Sequence, residues 1–335
     1  MKKEETPEEK NSLKDVIKGL RKKYGEGVVI QETEGYKKAD SRSTGSFIID
    51  DILGNGLPKG RLIELYGMES SGKSTLCLFI AAQYQKQGLT VAYLDAENAY
   101  DRSYGETMGV DTSKLLVSQP VTLEENFDII RAYATTNQVD LCIVDSVAAL
   151  TPKIELEGED LLKASMAVQA RLLGKALRIL TGPISRSKMT VIFINQLRDK
   201  IGVFYGEKTV TPGGKALKFF SSIRISVSKG EKLVGKNDEQ IGTVLKMAVT
   251  KNKVAPPWRK GEVTLYFGEG IDMHNDTFDA SVNKGVISKT GNTYSFKEEK
   301  LGVGRDSSIK NLKNNKELYE KIRKTTKEAI DKEKG

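Results

Sequence analysis

Apolar and polar positions along this chain fall into three stretches of different rhythm. In the first, Leu13, Val16, Ile17, Leu20 and Tyr24 recur at helical spacing on a charged background. This predicts an amphipathic helix that ends at Gly25-Glu26-Gly27 and gives way to a polar stretch through Thr44. A helix with one apolar face needs a surface to cover it. From about residue 45 short apolar runs alternate with helical periods: strands are predicted over 62–66, 91–94, 141–144, 191–194 and 223–227, and helices near 74–86, 123–135 and 163–181. That order is the signature of an α/β core with ligand chemistry at strand ends. After residue 270 the rhythm shortens. Gly285, Gly291, Gly302 and Gly304 punctuate a polar region, and Ile309, Leu312, Leu318, Ile322 and Ile330 predict short lysine-rich amphipathic helices. The chain therefore divides into segments 1–44, 45–270 and 271–335.

The chemistry sits at the first core strand. Gly67-Met68-Glu69-Ser70-Ser71-Gly72-Lys73-Ser74-Thr75 has the spacing of a phosphate-binding loop, and it lies between the apolar run Leu62, Ile63, Leu65, Tyr66 and the helical run Leu76, Phe79, Ile80, Tyr84. Glycines there let backbone N–H groups curl around phosphate oxygens at a helix N-terminus. Lys73 would neutralise β and γ phosphates, and the Ser74 hydroxyl would ligate Mg²⁺.

Composition excludes several other classes. No run of 18 apolar residues is present among the 335, and the lysine-rich start lacks the apolar stretch of a secretory leader, so the expectation is a cytoplasmic protein with no membrane partner. The two cysteines, Cys77 and Cys142, fall in an apolar helix and an apolar strand and read as small core residues, not a disulfide framework or metal cluster. A net charge of +8 suits a polyanionic partner without locating one.

Two further strands end in carboxylates. Val139-Asp140-Leu141-Cys142-Ile143-Val144-Asp145 is an apolar strand whose terminal Asp145 would accept from Mg²⁺-bound water and from Ser74. The 91–94 strand runs into Asp95-Ala96-Glu97-Asn98. Hydrolysis needs a group that orients water towards the γ phosphate, and Glu97 has the longer reach, with Asp95 as the competing assignment.

These elements together resemble the bacterial RecA recombinase family. The resemblance is carried by Glu69-Ser70-Ser71-Gly72-Lys73, Asp95-Ala96-Glu97, the run from Val144 through Asp145-Ser146-Val147 to Lys153, and Ile194-Asn195-Gln196. It continues through Gly213-Gly214-Lys215-Ala216-Leu217-Lys218-Phe219, Lys251-Asn252-Lys253 and Gly268-Glu269-Gly270, in order, over about residues 10–330. It implies a RecA-like P-loop ATPase core with an N-terminal polymerisation helix within 1–44 and a small C-terminal α/β domain. It also implies a DNA-stimulated ATPase that filaments on single-stranded DNA and exchanges strands with homologous duplex. Two alternatives share the nucleotide core: a repair-regulating or loading ATPase that does not exchange strands, and an inactive DNA-binding filament.

The resemblance also assigns roles. Lys73, Ser74 and Asp145 match its phosphate and Mg²⁺ positions, Glu97 its catalytic carboxylate, and Gln196 the residue that senses the γ phosphate and communicates with the DNA loops. Asp101 and Tyr104 match positions beside adenine, although Tyr104 also reads as an ordinary core tyrosine, and Gly268 falls in a nucleotide-side motif. Lys251 and Lys253 match a cationic pair that a neighbouring protomer supplies to phosphate, and Phe219 an aromatic at that interface of a helical homo-oligomer. DNA contacts are implied for a first loop starting at Glu155-Leu156-Glu157-Gly158-Glu159 and continuing towards Arg171. A second loop, 198–214, includes Arg198, Lys200, the wedging Ile201, Gly213 and Gly214. Further implied partners are single-strand-binding protein and an SOS repressor.

The chain departs from the family in places. Met68 stands where a proline is common, the first DNA loop carries Asp160-Leu161-Leu162-Lys163-Ala164-Ser165 and is one residue longer, and the last segment is lysine-rich where the family's tail is acidic. The resemblance implies that the C-terminal domain contacts incoming duplex, and ten basic residues against six acidic ones over 305–335 suit that contact.

Overall fold

The computed structural model describes residues 12–25, 28–29, 40–157, 166–199, 209–235 and 237–332. Contacts divide the chain into two compact units, Met1–Asp40 and Ser41–Gly335. In the first unit the helix Leu13–Tyr24 forms where the apolar spacing places it. The Ser12 hydroxyl accepts from the Lys14 amide at its start, and Gly25, at φ 94°, closes its last turn.

The second unit is built on a nine-stranded sheet. Its order is Gly270–Ile271, Lys260–Tyr266, Gln240–Asn252, Ile223–Val234, Leu62–Gly67, Thr190–Gln196, Leu141–Asp145, Val91–Asp95 and Leu116–Ser118. The six strands from Ile223–Val234 onward run parallel, and the three on the other side are antiparallel. All five strands expected from sequence are present. Those missed are the short edges Leu116–Ser118 and Gly270–Ile271 and the ribbon from Gln240 to Tyr266, whose alternating apolar and polar residues carry no continuous apolar run.

Alternation along the parallel strands gives the sheet two apolar faces. Ile63, Leu65, Ile192, Ile194, Ile223 and Ile225 pack under the helices Phe47–Leu53 and Lys73–Lys86. Leu62, Val191 and Phe193 point the other way, towards Leu123–Thr136, Met166–Ser187 and Ala216–Phe220. Helices on both faces leave the ends of the parallel strands as the open edge, where the phosphate loop emerges. Among the described residues no helix is long and apolar enough to cross a membrane.

Residues beyond 272 form a helix, Met273–Asn283, a three-stranded antiparallel sheet, and two further helices, Arg305–Asn314 and Lys316–Lys332. Ile309, Leu312, Leu318, Tyr319 and Ile322 of those last helices are buried with Phe278, Ile287 and Phe296. The lysine-rich segment is therefore structural as well as charged. It cannot be removed as a tail without opening this core. Asp276 ties this part to the rest by accepting from the Ser46 hydroxyl and from the amides of Phe47 (2.8 Å) and Ile48 (3.2 Å), which caps the helix Phe47–Leu53.

Candidate nucleotide and DNA site

The strand Leu62–Gly67 delivers its last residue into a tight loop, and the helix Lys73–Lys86 starts at Gly72 with φ 90° and no side-chain cap. Its first N–H groups therefore lack the usual side-chain acceptor, and the helix dipole adds positive potential there. Gly67 is demanded by space, since a Cβ would lie 2.1 Å from the Val227 carbonyl oxygen and 2.8 Å from the Ser71 hydroxyl. Lys73 folds over this loop, donating to the carbonyls of Gly67 (3.2 Å) and Met68 (2.7 Å). Burial pushes its ammonium pKa down, against the pull of Asp145 and Glu97. Glu69 and Ser70 stand exposed on the loop, and Ser71 lies buried beneath it.

Asp145 ends its strand beside this loop. Its carboxyl is buried and its pKa is raised by that burial, with hydrogen bonds from Ser74 and Tyr93 acting the other way. The Tyr93 hydroxyl donates to Asp145 Oδ2 at 2.5 Å. Tyr93 was invisible as a site residue in the sequence, although a tyrosine inside a fully buried strand signals that its hydroxyl has a partner.

The two competing carboxylates now separate. Asp95 is buried and holds its own turn, accepting from the amides of Ala99 (3.0 Å) and Tyr100 (3.1 Å) and from Gln119 Nε2 (3.2 Å). Glu97 is exposed, and its Oε1 accepts from the Ser146 hydroxyl and from Gln196 Nε2 at 3.1 Å. Gln196 is in reach because its strand pairs with the phosphate-loop strand in a register that sets Gln196 beside Gly67, while the Leu197 amide donates to the Gly67 carbonyl. Three strand ends thus converge on one carboxylate.

Tyr104 is half exposed with its hydroxyl 2.7 Å from the Thr75 hydroxyl, at the rim of the loop and not in the core. Asp101 caps the short helix Arg102–Thr107 through the amides of Ser103 and Tyr104. These bonds hold its carboxyl below the usual range, led by the Ser103 hydroxyl. Gly268 stands in an open turn at φ 79°, where an added Cβ would meet nothing within 4 Å.

The cations expected at phosphate lie elsewhere on the chain. The Lys253 amide donates to Ser222, and the Ser222 amide donates to Leu62, the first residue of the phosphate-loop strand. At roughly 3.3 Å per residue, Lys253 is about 16 Å from Gly67 along that strand. Lys251 Nζ donates to the carbonyls of Lys218 (2.6 Å) and Phe219 (2.9 Å), and its pKa is pushed down to about 8 by burial and by Lys253 and Arg224. Phe219 itself is 66% exposed.

The DNA loops lie partly outside the described residues, at 158–165 and at 200–208, which include Lys200 and Ile201. Their bases are adjacent. Arg198–Asp199 and Thr209–Val210 form an antiparallel ribbon. An added Cβ on Gly213 would lie 2.5 Å from Leu173 Cδ2, and one on Gly214 3.0 Å from Ala170 Cβ. Both neighbours belong to the helix on which Arg171 is exposed, so the end of the second loop rests on the helix that follows the first.

Comparison with known proteins points to one family over nearly the whole chain. The family model of the RecA N-terminal domain matches residues 11–272, and that of the RecA C-terminal domain matches 275–331. Protein RecA of Thermus aquaticus is 44% identical over 325 residues, covering 96% of this chain and 95% of that protein. Protein RecA of Chlorobium chlorochromatii is 46% identical over 317 residues, covering 94% and 89%. That of Lactobacillus acidophilus is 42% identical over 327, covering 96% and 89%. A crystal structure of the RadB recombinase superposes with a TM-score of 0.52 at 22% identity, over 68% of this chain and 97% of that one, a likeness of fold.

Proposed function

This chain belongs to the RecA family, and we propose from that premise which of its residues carry the family's chemistry. The protein is an ATP-dependent recombinase and DNA-repair enzyme that forms filaments on single-stranded DNA and exchanges strands with duplex. Its use of ATP with Mg²⁺ follows from the same membership.

The loop from Gly67 to Thr75 fits a triphosphate: Gly67 and Gly72 let it turn tightly against Val227 and Leu245, the helix N-terminus is uncapped by any side chain, and Lys73 hangs over it. Ser74 and Asp145 would hold Mg²⁺, which when bound neutralises phosphate charge. Burial of Lys73 and Asp145 costs free energy in their charged forms, and a phosphate beside one and a divalent cation beside the other lower that cost. Tyr104 and Asp101 flank the adenine side.

Glu97 orients the attacking water and takes its proton. The observation that carries this role is the shared acceptance by Glu97 Oε1 of the Ser146 hydroxyl and the Gln196 amide. With both donors in place the carboxylate is held at the strand ends. Ordering of the second loop on DNA would withdraw Gln196 towards the γ phosphate and release Glu97. Lys251 and Lys253 point to the neighbouring subunit's phosphates, because the sheet register puts Lys253 some 16 Å from this chain's own loop. Phe219 is seated at the same interface, Gly268 on the nucleotide side of it, and the apolar face of Leu13–Tyr24 against an adjacent copy. Arg171, Arg198, Lys200, Ile201, Gly213 and Gly214 form the DNA path.

The setting is the cytoplasm, with single-strand-binding protein and an SOS repressor as further partners. Cleavage of a candidate repressor in the presence of the ATP-bound filament tests the latter. The central test combines circular single-stranded DNA, homologous linear duplex and ATP. Joint molecules are expected from the native chain, while Glu97→Ala should still bind ATP and DNA but hydrolyse poorly; wild-type turnover in that variant would remove Glu97 from its role.

A further inference from the structure

On the sheet face opposite the phosphate-loop helix, one row of side chains is charged. Glu64, fully buried in the middle of the strand Leu62–Gly67, pairs in register with Arg224 on one neighbouring strand, and Arg224 pairs in turn with Lys251 on the next. Glu64 Oε2 accepts from Arg224 Nε at 2.5 Å, and Oε1 accepts from Asn195 Nδ2 at 3.1 Å. The same Asn195 nitrogen donates to the Pro212 carbonyl at 3.2 Å, and Asn195 Oδ1 accepts from the Gln196 amide. On the far side the Arg224 guanidinium lies 4.4 Å over the Tyr66 ring, whose hydroxyl is 2.9 Å from the Thr250 hydroxyl, one residue before Lys251.

Burying an ion pair is expensive, and an apolar pair of similar volume commonly gives equal or greater stability. A charged pair in an otherwise apolar strand therefore calls for a role beyond stability. Its contacts supply one. Through Asn195 one end reaches the Pro212 carbonyl in the second DNA loop and the Gln196 backbone amide just before it, and the other end adjoins Lys251.

We propose that Glu64 and Arg224 are positioning residues: held to Pro212 through Asn195, the pair makes the placement of Lys251 depend on the position of Pro212, near the end of the second DNA loop. This rests on the reading that Lys251 acts on a neighbouring subunit's phosphates. DNA binding draws on the loop, the pull on the Pro212 carbonyl shifts Asn195 and with it Glu64, and Arg224 carries the shift to the strand that bears Lys251. Without DNA the relay is idle, so it leaves ATP affinity and DNA-free turnover alone.

The test uses the full chain with two variants and a control. The double variant Glu64→Gln, Arg224→Met removes both charges together, which avoids stranding one of them, and Asn195→Ala cuts the link to Pro212 while keeping the pair. Each is expected to bind ATP as the native protein does and to keep DNA-free turnover within about twofold, while DNA-stimulated turnover falls by about tenfold or more. Either variant, folded by its melting curve and stimulated by DNA to the native extent, overturns the proposal. If the double variant does not fold, Asn195→Ala decides alone. Lys251→Ala separates the two readings: native turnover there removes the trans role itself, whereas lost turnover there beside full stimulation in the relay variants removes only the coupling.

Discussion

Replacing Gln196 by Ala should uncouple ATP from DNA without preventing either from binding. The side-chain amide makes one hydrogen bond to a charged acceptor, Glu97 Oε1 at 3.1 Å, at a half-exposed strand end. Bonds to charged groups contribute about 1.5–3 kcal/mol, and exposure puts this one at the lower end, about 1.5 kcal/mol. If that bond is exchanged for one to the γ-phosphate environment when the second loop orders, its loss removes a coupling factor of roughly tenfold. Linkage requires the same factor in both directions: the gain in DNA affinity caused by a slowly hydrolysed ATP analogue, and the gain in analogue affinity caused by DNA, should both shrink about tenfold. Equilibrium titrations of labelled single-stranded DNA with and without the analogue, and the reverse titrations, measure the two arms. Undiminished reciprocal coupling in Gln196→Ala refutes the switch even if basal turnover changes.

Asp95→Asn should act on folding where Glu97→Ala acts on rate: the first lowers the melting temperature by loosening the turn at Ala99 and Tyr100, the second lowers turnover by about 10²–10⁴-fold with an unchanged melt. Gly67→Ala would set a Cβ 2.1 Å from the Val227 carbonyl oxygen, a backbone atom, so it should destabilise by about 2 kcal/mol or more and abolish ATP binding, read by melting and nucleotide titration. Burial raises the Asp276 carboxyl to about 6 against an ordinary 3.8, so between those values the folded chain holds a proton that the unfolded chain has lost. Stability from this group is complete below about pH 4 and is lost as pH rises through about 6, by about 3 kcal/mol, and urea unfolding of the native chain and Asp276→Asn across pH 4–7 should differ in that slope. Exchanging the exposed Lys310, Lys316, Lys324 and Lys327 for Gln tests duplex capture without opening the C-terminal core; capture should weaken and its log–log salt slope fall by about 0.9 for each phosphate left without its lysine, whereas an unchanged slope places the duplex elsewhere.

The linear sequence determined what depends on near neighbours. Hydrophobic period set the central parallel strands and their helices, because buried parallel strands must be continuously apolar. The phosphate loop was legible for the same reason: glycine spacing, Lys73, Ser74 and the helix start all lie within nine residues. Asp145 and Glu97 were legible as strand-end carboxylates, but their division of labour with Asp95 was not, since both Asp95 and Glu97 end the same strand. Only the fold showed Asp95 closing its own turn while Glu97 meets Ser146 and Gln196, residues 49 and 99 positions away.

Register and packing across distant segments decided the rest. The ribbon from Gln240 to Tyr266 went unread because its alternation resembles an exposed edge until the neighbouring strands are known. The helices after Arg305 were legible as lysine-rich amphipathic elements, but not what their apolar faces cover, and only their packing on Phe278 and Phe296 shows them to be half of a core. Tyr93, Glu64 and Arg224 carry no motif at all. Tyr93 and Glu64 are isolated polar residues in apolar strands and Arg224 stands at the apolar start of a mixed one; burial there without a partner is too costly to stand, and the identity of the partner is settled by which strand lies alongside, a choice made by tertiary contacts and absent from local sequence.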